Sequence, residues 1–176
     1  MPPLIVLNTD QPADRRRFTL AHELGHLVMH RFPSPKMEDE ANEFASALLK
    51  PAGDIRPYFA GRRIDLALLA SLKPEWRVAM QALLMRASGL SLLTSQQSRN
   101  MWKQISARRL RLREPPELDF APEIPTVINS MLQVHFEGLG YSVEDVAKML
   151  YVHEWDLRSI YAIEKKEARP RIAILK

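Results

Sequence analysis

The residues best suited to chemistry are His22-Glu23-Leu24-Gly25-His26. Histidines four apart on a helix are separated by about one turn, so both imidazoles project from one face and can hold a single ion. Glu23 lies about 100° round the helix, beside them. In an H-E-x-x-H site a bound metal polarises a scissile carbonyl and lowers the pKa of a bound water to about 7, and the intervening carboxylate takes the proton. His22 and His26 are therefore candidate ligands and Glu23 the candidate general base. Gly25 costs a helix interior about 0.8–1.0 kcal/mol relative to Ala, and a close neighbour is the expected reason for it.

Two histidines make half a site, since catalytic zinc commonly takes three protein ligands. The chain has no cysteine, so the third ligand must be a histidine or a carboxylate. Glu38, Asp39, Glu40 and Glu43 follow a short loop later. With Met37 at 0° on a helix, the apolar stripe runs from about 340° to 80°, and Asp39 near 200° and Glu43 near 240° face solvent. Glu38 near 100° and Glu40 near 300° both border the buried face, which leaves a tie. Small Ala41 and Ala45 beside Glu38, and Asn42 four residues on, favour Glu38, with Glu40 in reserve. Asn42 is then placed to orient a ligand histidine.

These residues need helices to hold them. Pro2 to Asn8 reads as a strand. A helix follows over about 12–31, capped by Thr9 or Asp10, with Phe18, Ala21, Leu24 and Val28 at helical spacing. Pro33-Ser34-Pro35 breaks the chain, and Ser34 is placed to cap a second helix that Pro51 and Gly53 end. Helical patterning continues over Ile64 to Leu72, restarts at Pro74, and restarts again at Thr94, which forms a capping box with Gln97. Arg108 to Arg113 alternates arginine and leucine, the period of a strand with one basic face. Residues 114–125 hold four of the thirteen prolines and read as a linker. Helices near 126–138, 143–150 (with a Ser142/Asp145 capping box) and 154–163, then a basic tail, complete the chain. The expected class is mostly α: zincin-like helices with minimal strand content over 1–55, a helical region with a basic face over 56–113, the linker at 114–125, and a helical carboxy-terminal region at 126–176, with a winged-helix-like arrangement as an alternative for the part that follows the zincin-like helices.

The composition is that of an ordinary globular protein, 46% hydrophobic and 26% charged over 176 residues. No apolar run is long enough for a membrane span and no signal segment opens the chain, so a cytoplasmic location is expected. The net charge of +4 conceals a segregation. Residues 54–113 carry twelve basic against three acidic side chains, and residues 114–164 two against ten. The preferred reading is an internal pairing of these blocks.

Arg15-Arg16-Arg17-Phe18-Thr19-Leu20-Ala21-His22-Glu23-Leu24-Gly25-His26-Leu27, then Glu38-Asp39-Glu40-Ala41-Asn42-Glu43-Phe44-Ala45 and Leu48-Leu49-Lys50-Pro51, resembles the ImmA/IrrE family of metallopeptidases over roughly residues 4–51. That family is similar to the gluzincins, whose third ligand is a glutamate with Asp or Asn four residues on, a pattern that falls here on Glu38 and Asn42. The resemblance implies an intracellular zinc endopeptidase that cuts a repressor-like regulator, often fused to an amino-terminal XRE-type helix-turn-helix domain. Few residues precede the zinc helix here, so a fragment or short form of such a regulator is expected, with any DNA contact made chiefly through a missing amino-terminal domain.

The alternative is a DNA-binding transcriptional regulator whose metal site is sensory or vestigial. Arg108, Arg109, Arg111 and Arg113 are the possible phosphate contacts, as the wing of a winged helix. The segment 142–157 has the apolar spacing of a helix-turn-helix, but Glu154 and Asp156 would be repelled by phosphate, and a hairpin for domain packing or homodimerisation is preferred. His30 reads as a helix-end histidine near the last carbonyls, and His135 and His153 as structural or surface residues.

Overall fold

The structure, a computed structural model, describes residues 4–163; the basic tail lies outside them. Among the described residues there is no strand, and the elements are helices α1 (Ala13–Met29), α2 (Met37–Leu49), α3 (Ala52–Phe59), α4 (Leu66–Trp76), α5 (Met80–Gly89), α6 (Ser95–Ala107), α7 (Val127–Gln133), α8 (Val143–Met149) and α9 (Glu154–Tyr161). None is long and apolar enough to cross a membrane. The chain divides into two compact units, Met1–Glu123 and Ile124–Lys176.

In the first unit the large apolar side chains gather away from the histidines. Ile55 and Phe59 of α3, Leu66, Leu69 and Leu72 of α4, Leu83 and Leu84 of α5, and Met101 and Ile105 of α6 form one buried cluster. The α1–α2 hairpin is built from small residues instead. Ala21 and Gly25 on α1 and Ala41 and Ala45 on α2 are buried, and a Cβ on Gly25 would lie 3.1 Å from Phe44 Cδ1 and 3.3 Å from the Ala41 Cα. The glycine therefore serves close helix approach, the expected neighbour being α2. On the outer side of α1, Leu20, Leu24, Leu27 and Val28 remain exposed. Leu24 and Val28 recur at helical spacing with Phe18 and Ala21 but, unlike Ala21, are not buried.

The hairpin is tied to the rest of the unit by polar anchors. Lys73 of α4 is buried and its Nζ donates to Asp14 of α1 and to Glu114, at 2.7 Å each. Glu114 also accepts the Met80 N–H at the start of α5, at 2.8 Å. Burial pulls the Lys73 pKa down, but the two carboxylates outweigh it and hold the amine above its ordinary value. Arg86 Nε donates to the Lys50 carbonyl at 2.8 Å and Arg17 to that of Trp76 at 3.2 Å. The proline-rich segment is pinned through residue 123: Arg113 pairs with Asp119, and Glu123 with both Arg17 and Arg77. Part of the charge segregation is thus neutralised inside this unit.

Several local expectations are corrected. Residues 4–8 have no regular structure and join no sheet among the described residues, so the expected strand is not found there. The caps expected at Thr9 or Asp10 and at Ser34 are absent; α1 is preceded by Pro12 and α2 by Lys36, with no side-chain cap on either. Pro74 lies inside α4 rather than opening a helix, and the break comes at Arg77, in the left-handed region at φ 51°. The arginine/leucine alternation is not a strand. Arg109 at φ 55° reverses the chain, and the Leu110 N–H returns to the Ile105 carbonyl at 3.0 Å, closing the end of α6. A strand needs a neighbour to bond its backbone, and none is offered, so a wing is ruled out with it. The Thr94/Gln97 and Ser142/Asp145 capping boxes are both present.

The second unit has a small core of Leu132, Val146, Ala147 and Leu157. Here α7 runs into a π-helical turn, Val134–Gly138, and Gly140 at φ 73° turns the chain toward α8.

Candidate metal centre

His22 and His26 project from α1 into the side of α2 that carries Glu38 and Asn42. Their Nε2 atoms are 2.9 Å apart. The Glu38 carboxylate closes the group, with Oε2 3.4 Å from His22 Nε2 and Oε1 3.5 Å from His26 Nε2. Four-coordinate zinc with bonds of about 2.0–2.1 Å sets its ligand atoms roughly 3.3 Å apart, so the spacing suits three ligands of one ion. Among the described residues this trio is the one His/carboxylate group so converged.

The outer nitrogens decide what the inner ones offer. His22 Nδ1 donates to Asn42 Oδ1 at 3.0 Å, which leaves His22 Nε2 a bare lone pair. His30 Nε2 donates to Glu40 Oε2 at 3.0 Å. With His30 neutral, its Nδ1 accepts the N–H of His26 Nδ1, also at 3.0 Å, so His26 Nε2 is bare as well. Two lone pairs and a carboxylate then face one another. A proton on one nitrogen would satisfy one contact, whereas a metal ion satisfies all three at once, with each imidazole held in the ligating tautomer by its outer partner.

The tie between Glu38 and Glu40 is thus separated spatially: Glu38 joins the histidines and Glu40 holds His30. His30 stands at the helix end as expected, closing α1 and outside the ligand group, but its side chain meets His26 and Glu40 and not the last carbonyls. Its ring is buried and links His26 to Glu40, because α2 passes close enough to deliver an acceptor. A third histidine four residues after His26 was the available signal. Glu23 is half-buried on α1, with no hydrogen-bond or ion-pair partner among the described residues. Asp39 and Glu43 are exposed.

Residues 2–88 match the IrrE N-terminal-like domain, the peptidase M78 family. Over that span the chain belongs to this family. The M78 domain thus contains α1 and α2 with every residue of the converged group, and extends through most of α5. Neither a curated protein nor a solved structure matches the chain. Beyond the M78 domain, Arg108, Arg109, Arg111 and Arg113 lie on the turn after α6, where Arg111 stacks on Trp102 with its guanidinium 5.0 Å from the ring centroid and Arg113 pairs with Asp119. In the second unit His135 Nδ1 donates to the Met131 carbonyl at 2.8 Å, and His153 precedes α9.

Proposed function

We propose that the chain is a zinc-dependent endopeptidase that cleaves a regulatory protein such as a repressor, with His22, His26 and Glu38 holding the ion and Glu23 as general base. The observation that carries this reading is the convergence of two bare imidazole nitrogens and a carboxylate beside an unpaired glutamate. When bound, the ion supplies Lewis acidity, polarising a peptide carbonyl and making water acidic. Glu23, one residue from His22 and free of other partners, accepts the proton from water and returns it to the leaving amine. Asn42 holds the His22 ring, and His30 with Glu40 holds that of His26, so the donor set is oriented before substrate arrives. The exposed edge of the group, where Glu38 is 69% accessible, leaves room for a polypeptide to approach.

The test combines metal analysis with cleavage. The purified chain should carry about one zinc, and His22→Ala and His26→Ala should each lose it. Glu23→Gln should retain zinc and lose cleavage, read by comparing the cleaved regulators in cells bearing the parent or the variant. Zinc retention by both histidine variants would refute the ligand assignment.

A further inference from the structure

Lys50, which ends α2, is fully buried, and its Nζ has no hydrogen-bond partner. The nearest compensation is the Phe18 ring, whose centroid is 5.4 Å from Nζ. Burial, then the positive charges of Arg86 and Arg17, lower its pKa to about 8. An ammonium buried without an acceptor is costly, and proteins ordinarily pair or remove it.

Lys50 lines a cavity of about 340 Å³, within the range of roughly 300–1,000 Å³ typical of ligand sites. Arg15 and Arg111 also line it, and the acidic residue there, Asp14, is already taken by Lys73. Phe18, Ala82 and Met85 supply apolar walls. The cavity lining thus combines three cations with apolar side chains and holds no carboxylate that is not already paired.

Its position ties it to the metal centre. Asn42, whose Oδ1 holds His22, also lines the cavity. At 100° per residue, Arg15, Thr19, His22 and His26 fall within about 60° of one another on α1. On α2, Glu38, Asn42, Ser46 and Lys50 recur every four residues. Asn42 thus stands between the converged ligands, which it helps to hold, and the cavity that Lys50 lines. Along α2 the offset from Glu38 to Lys50 is twelve residues, about 18 Å, which an extended peptide covers in five to six residues at roughly 3.3 Å each.

We propose that this cavity is a specificity subsite that receives an aspartate or glutamate side chain of an extended polypeptide, about five residues from the scissile bond, with its carboxylate paired to Lys50 Nζ. The polypeptide character of the ligand rests on the peptidase reading; its negative charge rests on the cavity alone.

The test is equilibrium binding to the zinc-loaded full chain carrying Glu23→Gln, so that bound peptide stays intact. The probes are two heptapeptide pools, random except for one fixed glutamate or one fixed glutamine. The glutamate pool should contain peptides binding about ten- to a hundredfold tighter than their glutamine counterparts, the usual worth of a charge-assisted hydrogen bond. Lys50→Met in the same background should erase that difference. Equal binding of the two pools by the Lys50-containing chain would overturn the proposal without recourse to the variant, as would a preference surviving Lys50→Met. Free glutarate should compete only weakly; if it bound as tightly as the best peptides, the occupant would be a small dicarboxylate and the polypeptide subsite would be wrong. A glutamate preference in a parent chain that cleaves nothing would retain the subsite and remove the peptidase reading. Cleavage without that preference would do the reverse.

Discussion

Replacing Lys50 with methionine should stabilise the first unit at neutral pH. The substitution keeps an unbranched stem beside Phe18 and removes a charge that the fold leaves without an acceptor. The displacement of the amine from 10.5 to about 8, at about 1.4 kcal/mol per unit, corresponds to a penalty of about 3 kcal/mol borne by the protonated folded state. Between about pH 8 and 10.5 the unfolded chain binds the proton that the folded chain has released, so the parent gains stability as pH rises through that window. The methionine variant has no such group and should be flat there. Its advantage is therefore about 3 kcal/mol at pH 7 and should shrink toward zero near pH 10.5. Urea denaturation followed by tryptophan fluorescence measures this directly, in a Trp155→Phe background so that Trp76 and Trp102 report the first unit alone. A methionine variant less stable than the parent at pH 7, or a difference independent of pH, would refute the picture of an uncompensated buried ammonium.

Gly25→Val should force α1 and α2 apart, costing about 1–3 kcal/mol as overpacking does and weakening zinc binding in a chelator competition; unchanged affinity would mean that close approach at Gly25 does not position Glu38. His30→Ala should leave the helical content intact and reduce zinc affinity by roughly 10–100-fold, the usual cost of losing the partner of a ligand histidine, with His30→Gln recovering part of it; equal affinities would remove His30 and Glu40 from the site. Lys73→Met should cost about 3–5 kcal/mol by leaving two buried carboxylates unpaired, and adding Asp14→Asn and Glu114→Gln should recover most of the loss in thermal or urea unfolding. A single variant as stable as the parent would show that this triad does not anchor the hairpin.

The helical frame was legible because its signals are local. His22 and His26 share a face through spacing alone, and the Thr94 and Ser142 capping boxes require only residues three apart. Local signals failed where a distant partner or its lack decided. Arg108 to Leu112 has the period of a strand, yet with no neighbouring strand the backbone bonds back into α6. Pro74 reads as a helix start, but Lys73 beside it is held by carboxylates from 59 and 41 residues away, and the helix runs on to Trp76.

By itself the sequence determined that any metal here must be held by histidine and carboxylate, that two of those ligands share one helix face, and that a glycine between them calls for a close neighbour. The sequence favoured Glu38 over Glu40 as the third member, and only the tertiary structure showed what each does: both sit equally near the buried edge of α2, and the crossing of the two helices sets Glu38 against His22 and His26 and Glu40 against His30. The same crossing gave His30 its acceptor and set Asn42 both against His22 and in the lining of the cavity that holds Lys50. Helical periodicity reports which side of one helix is buried; it carries no information on the offset between two helices, and in this protein that offset makes the site.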